Sequence, residues 1–450
     1  MKKLMRAGAV ALAMATFVTG CSSGGSGDTA ESEVPTNEDG QRILAFDAFV
    51  GGNGEEFLEE AAAKFEEANE DVDVQIRWSK DIDQEMQKDN ASGKYADLVY
   101  YNLGQASNYT ESMLNSGKVM DISDVMDEVA DEIDTSITQP TAEYFGDGKS
   151  YLAPIMYTPA GLYYNKAELS EEELPTTWDE MFALGDKVHS EDANKYLFTY
   201  PIRGYFDNTV LGMLYQAGGE EYFQNALKYG EGTWDSDEGK LILETIAKLV
   251  GPEYLEKDTV ANANVDGGFT VNQQSMIDGK ALFMPNGSWI VGEMAETTPE
   301  GFSWGVMPLP AFEEGGERVV TTMTETVWIP AEAANADDAK EFIKFLYSEE
   351  AAEIFASHNI VSPRTGSADL LADEQLKGLF DVYNMDGVKA VSGTYAAYDA
   401  TAVPDVDFKG TIYGPIEEIA SGKEGVTVET WQESLTELWT TLRENPLSAE

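Results

Sequence analysis

The sequence predicts an α/β protein of two domains, and three observations lead there. Its 450 residues exceed what one ordinary hydrophobic core organises. A content of 42% hydrophobic and 11% aromatic residues is that of a folded chain. Between Arg42 and Tyr101, apolar runs of strand period alternate with stretches of helical period, the order of a doubly wound lobe.

The first twenty residues read as a removable export signal. Lys2, Lys3 and Arg6 form a positive start, and Ala7 to Val18 is an apolar run too short to span a bilayer permanently. Val18-Thr19-Gly20-Cys21 follows, and residues 21–40, rich in Gly, Ser, Thr and Glu, read as a flexible linker. Small residues ahead of the only cysteine resemble the lipobox of bacterial lipoproteins, with Val18 and Thr19 where Leu and Ala or Ser are commonest. That resemblance implies a diacylglycerol on Cys21 and a protein anchored outside the cytoplasmic membrane; an ordinary secreted protein with a stray cysteine is the bland alternative.

Folded sequence is expected from about Gln41. Arg42 to Phe46 reads as a strand, and Phe57, Leu58, Ala61, Ala62 and Phe65 recur at helical spacing. Val72, Val74, Ile76 and Trp78 alternate with polar residues, as in a half-buried strand. Asp81 to Ser92 reads as a helix and Leu98 to Tyr101 as a strand. Asn53 and Asn102 then fall just past two strand ends, where open α/β sheets bind ligands. Beyond this region the helical stripes are Trp178–Val188, Glu238–Val250 and Asp337–Ser357.

The formal charge of −53 becomes −56 when the three cations of the signal are removed. Such a charge repels nucleic acid and disfavours anionic substrates, while a neutral ligand is indifferent to it. With Cys21 lipidated there is no disulfide, thiolate metal site or cysteine nucleophile. Gly148-Lys149-Ser150 lacks the earlier glycine of a phosphate-binding loop, since residue 143 is Glu. Asn262 to Gly267 resembles a calcium loop only weakly, because Asn opens it and Gln273 stands where a bidentate Glu is needed. His189 and His358 lie in unrelated helical contexts and read as structural. No cofactor, metal or catalytic residue is expected.

What remains is a set of aromatics in polar or Gly/Pro-rich surroundings: Tyr157, Tyr205, Trp289 and Trp328. An aromatic ring packs on the C–H face of a sugar while Asn, Gln, Asp and Glu bind its hydroxyls.

Several segments carry a family resemblance, in order and spacing: Phe145 to Pro154, Gly161 to Lys166, Pro175 to Glu180, Asp278 to Met284, Asn286-Gly287-Ser288-Trp289, Trp304 to Pro310 and Ala339 to Leu346. Together they resemble the bacterial extracellular solute-binding proteins of the sugar type, receptors of carbohydrate ABC importers. Leu197 to Pro201 with Gly204 to Asp207, and Ala281 to Met294, resemble the N-acetylglucosamine/diacetylchitobiose-binding branch.

The resemblance implies a two-lobed, maltose-binding-protein-like α/β fold with three interlobe crossings, near 154–161, near 304–310 and within 330–340. The first lobe is then 41–155 plus 305–335, and the second 156–304 plus 336–450. It implies a sugar in the cleft, bound by Asn53, Asn102, Gln105, Tyr157, Tyr205, Asp207, Trp289, Glu325, Trp328, Tyr398 and Asp399, in a monomer that docks on permease subunits. Two rivals stay open at this point. A surface glycoside hydrolase needs two facing carboxylates, and a binding protein for another solute, such as a peptide or polyamine, would suit the acidic charge.

Overall fold

Nine strands form one mixed sheet in the computed structural model, which describes residues 34–447 apart from 52, 106, 397, 400 and 401. The signal segment, Cys21 and the linker up to residue 33 lie outside the described residues. Residues 34–40, expected as linker, close a turn onto the first strand. Thr36 bridges Arg42, and the Asn37 carboxamide oxygen accepts from the amides of Asp39 and Gln41, both at 3.0 Å.

The first three strands are β1 (Arg42–Phe49), β2 (Val72–Ser79) and β3 (Leu98–Tyr100), with β1 parallel to both others. The helices Glu56–Ala68 and Ile82–Asn90 connect them, and the first buries the predicted stripe of Phe57, Leu58, Ala61, Ala62 and Phe65. The second half of the chain adds β5 (Tyr196–Phe198), β6 (Ala281–Asn286), β7 (Trp304–Met307) and β9 (Val388–Val391). Two longer strands join the halves: β4 (Ala153–Asn165) and β8 (Arg318–Trp328), antiparallel from Ala153↔Val327 to Ala160↔Thr321.

Each long strand runs through two cores. Ala153, Ile155 and Val327 pack with Leu44, Phe46 and Phe57 in the first lobe. Leu162, Tyr164 and Val319 pack with Phe198, Leu214 and Trp439 in the second. The first crossing therefore lies on β4. The second is β8 rather than 304–310, because β7 is already in the second lobe, paired with β4 from Leu162↔Met307 to Asn165↔Trp304. The third follows residue 360 rather than lying within 330–340. Ile360 still packs in the first core, whereas Val361 and Leu371 pack with Tyr163.

The assignment of everything after 336 to the second lobe is corrected by the same packing. The expected single helix Asp337–Ser357 is two helices, Ala336–Leu346 and Glu349–Ser357, with Ser348 capping the second through a 3.2 Å bond from Ala351 N. Both belong to the first lobe. Phe342 meets Phe46 and Phe65 edge-on, with ring centroids 6.1 and 5.1 Å apart. Burying a side chain of this size is worth about 1.5–3 kcal/mol. Arg42 of β1 clamps Asp338 with two bonds, of 2.8 and 2.9 Å, a forked geometry that fixes helix to sheet.

The two histidines are structural in the fold. His189 Nδ1 lies 3.0 Å from the Lys195 carbonyl, and His358 Nε2 lies 2.9 Å from Glu60. Asn262 donates to the buried Asn272 at 2.9 Å, which ties that turn to the second lobe's interior.

Candidate functional site

Side chains alternate across a strand, so β4 and β8 present two distinct faces where they cross between lobes. One carries Met156, Thr158 and Ala160 opposite Glu325, Met323 and Thr321; the other carries Tyr157 opposite Thr324.

Both lobes send polar groups to the first of these faces. Asn53, just past β1, donates to Glu325 Oε1 at 2.9 Å and to the Met156 sulfur at 3.3 Å. Tyr100, at the end of β3, donates to Glu325 Oε2. Asn102 accepts from Thr326 N at 2.8 Å and hydrogen-bonds the Glu325 carboxylate. From the second lobe, Asn208 donates to the Met323 sulfur at 3.4 Å, and its carbonyl accepts from Thr321 at 2.9 Å. Ser288, past the end of β6, pairs its hydroxyl with that of Thr158 and donates its amide to the same oxygen at 3.2 Å.

Trp289 follows Ser288 and is half-buried. Its ring lies 6.2 Å from that of Tyr205, and the two line a small cavity with Ala160, Gly161 and Asn208. Residue 287 has to be glycine here, because a Cβ would sit 2.0 Å from the indole.

The electrostatics fit a neutral, hydroxyl-rich partner. Burial pushes the Glu325 carboxyl above its ordinary range, and the groups that pull it back are hydrogen-bond donors without charge: Tyr100, Asn102 and Asn53. Asp207 is also raised by burial, opposed by a hydrogen bond from Tyr413 and the more distant charge of Lys409. Such carboxylates accept hydroxyl protons.

Burial likewise raises Asp47, Asp97, Glu111 and Glu256. The native state therefore holds protons that the unfolded chain, titrating near about 4, releases. The stability these groups contribute is complete below about 4 and is lost as pH rises through their raised values. Asp121, lowered to about 2 by Ser123 and Lys149, and Asp124, lowered by Lys340, act oppositely, withdrawing support as pH falls. The melting temperature should rise as pH falls through the raised range of these buried carboxyls and drop below about 4, where the paired ones protonate. Thermal melts across that range test it, and a steady fall from pH 8 downward would contradict the sign.

The expected site residues divide accordingly. Asn53, Asn102 and Glu325 meet in one cluster, and Tyr205 and Trp289 in another. Asp207 joins the helix Phe408–Ala420 through Tyr413. Gln105 lies in the loop after β3, where Gly104 N donates to the buried Glu111 at 2.6 Å. Two expectations are corrected. Trp328 is fully buried, its indole N–H on the Tyr101 carbonyl at 3.3 Å, and reaches no cleft. Tyr157 points to the other face, against Phe380 and Tyr383 with ring centroids 5.4 and 5.6 Å away. Tyr398 and Asp399 sit where the backbone pairs with the chain's end, through the Tyr398↔Pro446 bridge and a 3.0 Å bond from Asp399 N to the Asn445 carbonyl, and neither joins the two clusters above by a described contact. The sequence reading missed Tyr100, Thr158, Asn208, Ser288 and Met323. The register of β4 against β8 sets Thr158 opposite Met323, and Tyr100, Asn208 and Ser288 reach that face from β3, from the helix Phe206–Leu227 and from past the end of β6, which no local pattern predicts.

A family model described as bacterial extracellular solute-binding protein matches residues 51–353. A diacetylchitobiose-binding protein of Streptomyces coelicolor is 23% identical over 388 residues, covering 79% of this chain and 78% of that protein. Among solved structures, the apo-form of RafE from Streptococcus pneumoniae is similar with a TM-score of 0.70 at 16% identity, over 91% of this chain and 100% of that one. The sugar-binding protein MalE from Xanthomonas citri gives 0.69 at 18%, over 89% and 97%. At these identities the structural likeness speaks for the fold: two lobes, α/β, maltose-binding-protein-like.

Proposed function

This chain belongs to the bacterial extracellular solute-binding protein family, and on that premise we propose that it captures a neutral sugar or oligosaccharide between its lobes and presents it to the permease of a carbohydrate ABC importer. One observation carries the reading. A single face of the crossing strands takes hydrogen-bonding groups from both lobes, Asn53 on Glu325 from the first and Asn208 on Met323 and Ser288 on Thr158 from the second, and the donors that tune the Glu325 carboxylate carry no charge. A ligand touching both sets favours the closed arrangement by its differential affinity. Trp289 and Tyr205 supply apolar faces beside them. Similarity to the diacetylchitobiose-binding protein supports N-acetylglucosamine or its short β-linked oligomers as the ligand. The family binds its solutes, so the ligand leaves unchanged.

A thermal-shift panel of sugars, peptides and amines, followed by chromatography of the bound sugar, tests this. Ligand at 100 times its dissociation constant adds about 2.7 kcal/mol of stability. Turnover of the sugar would favour a hydrolase. A shift with peptides or amines alone would remove the carbohydrate reading, and a shift with other sugars would remove only the chitobiose assignment.

The lipobox-like segment supports a lipid anchor at Cys21, which makes this a surface lipoprotein. Each buried methylene of an acyl chain is worth about 0.8 kcal/mol. Cys21→Ser is expected to move the protein from the membrane fraction to the soluble one with unchanged sugar affinity. Retention of that variant in the membrane fraction would overturn the anchor.

A further inference from the structure

Met323 is the most exposed methionine among the described residues, at 38% of its full accessibility. The others there are buried or, for Met120 and Met385, half-buried. Its position is not incidental. It stands on β8 where that strand passes between the lobes, on the face that carries Glu325 two residues on and Thr158 across the ladder. Its sulfur accepts the Asn208 N–H at 3.4 Å, so a thioether from the crossing strand and an amide from the second lobe share one contact. The chain's single cysteine is residue 21, before the folded domain, so methionine supplies all the oxidisable sulfur of the fold.

We propose that Met323 is a site of reversible oxidation that switches the cleft, a deduction that rests on the carbohydrate-capture reading above. In the unliganded protein the sulfur lone pair attacks one oxygen of a hydroperoxide. The O–O bond breaks, the sulfur-bound oxygen sheds its proton to the distal oxygen directly or through water, the distal oxygen leaves as water or alcohol, and the thioether becomes a sulfoxide. An apolar, polarisable floor becomes polar and chiral. The new oxygen stands beside Asn208, which also lines the cavity of Trp289 and Tyr205, and it is a far stronger acceptor for that amide than sulfur. A bound ligand covers the sulfur, so the modification acts on empty receptors. Reduction by a methionine sulfoxide reductase restores the floor.

The experiment treats the full chain with hydrogen peroxide and maps sulfoxide by peptide mass spectrometry, with sugar titrations before and after. Met323 is expected to oxidise ahead of Met120 and Met385, and affinity is expected to drop by about tenfold or more. In Met323→Leu the peroxide-induced drop should vanish, whatever that variant's starting affinity, while Met385→Leu should retain it. Saturating ligand should slow the Met323 adduct selectively. Oxidation of Met323 no faster than of Met120 and Met385 overturns the proposal, as does an unchanged titration after Met323 is fully oxidised. If the untreated protein binds no sugar, the carbohydrate reading fails by itself, and the rank of Met323 among the methionines still decides whether it is the modification site.

Discussion

Trp328→Ala is expected to cost about 3–5 kcal/mol of folding stability while leaving sugar affinity of the folded fraction unchanged. The indole is fully buried at the end of β8, where Val99↔Trp328 pairs that strand to β3. It packs on Tyr109 with ring centroids 6.1 Å apart and gives its N–H to the Tyr101 carbonyl. Truncation opens a cavity and removes one of the two donors to that carbonyl, which keeps the Thr110 hydroxyl at 2.8 Å, so the cavity dominates the cost. A urea melt reads the loss as a lower midpoint at unchanged slope. Affinity reduced in step with intact stability would instead return Trp328 to the cleft.

The opposite pattern is expected of Trp289→Ala. The side chain is half-buried beside Tyr205 and stacks over Gly287, with the crossing strand's Ala160 and Gly161 on the cavity wall. Loss of an aromatic platform costs about 1–3 kcal/mol when a nucleobase stacks on it, and a sugar face presents a contact of similar size. That corresponds to roughly five- to 150-fold in affinity. Calorimetric titration and a urea melt on the same variant separate binding from folding. Near-native affinity with a loss of several kcal/mol in stability would place Trp289 in the core.

These two tryptophans show where the sequence was legible. Both lie in short motifs with polar neighbours, and the family resemblance implies a ligand contact for each. Trp289 follows a strand end, where the chain turns and a large ring stays partly open. Trp328 ends a strand whose neighbours Val327 and Ile329 are also buried, so no face of it reaches solvent. Local composition does not distinguish the two cases; pairing does. The strand–helix alternation through residue 101 was readable because each element completes its own stripe nearby in sequence. The helix stripe of Phe342, Ile343 and Leu346 was readable too, but the core it fills was not. Its partners Phe46 and Phe65 lie nearly 300 positions earlier, and nothing in an amphipathic pattern names its partner. The same holds for Met156, Thr158 and Met323, whose shared face depends on the irregularity between Pro154 and Met156.

The interleaving of the first lobe bears on how the molecule is made. Its sheet is completed only when β8 reaches β3, and its helical layer only when Asp338 reaches Arg42, 296 residues apart. A nascent chain therefore carries β1, β2 and β3 for most of its synthesis without the partners that cover them. Contacts this distant close slowly, because the loop entropy is lost before the pairing rewards it. On the proposed reading of an exported lipoprotein, slowness is useful: the late-arriving strand keeps the early ones unfolded during passage across the membrane. The same arrangement leaves edge strands unpaired for longer, so truncations ending before residue 318 should expose them and aggregate.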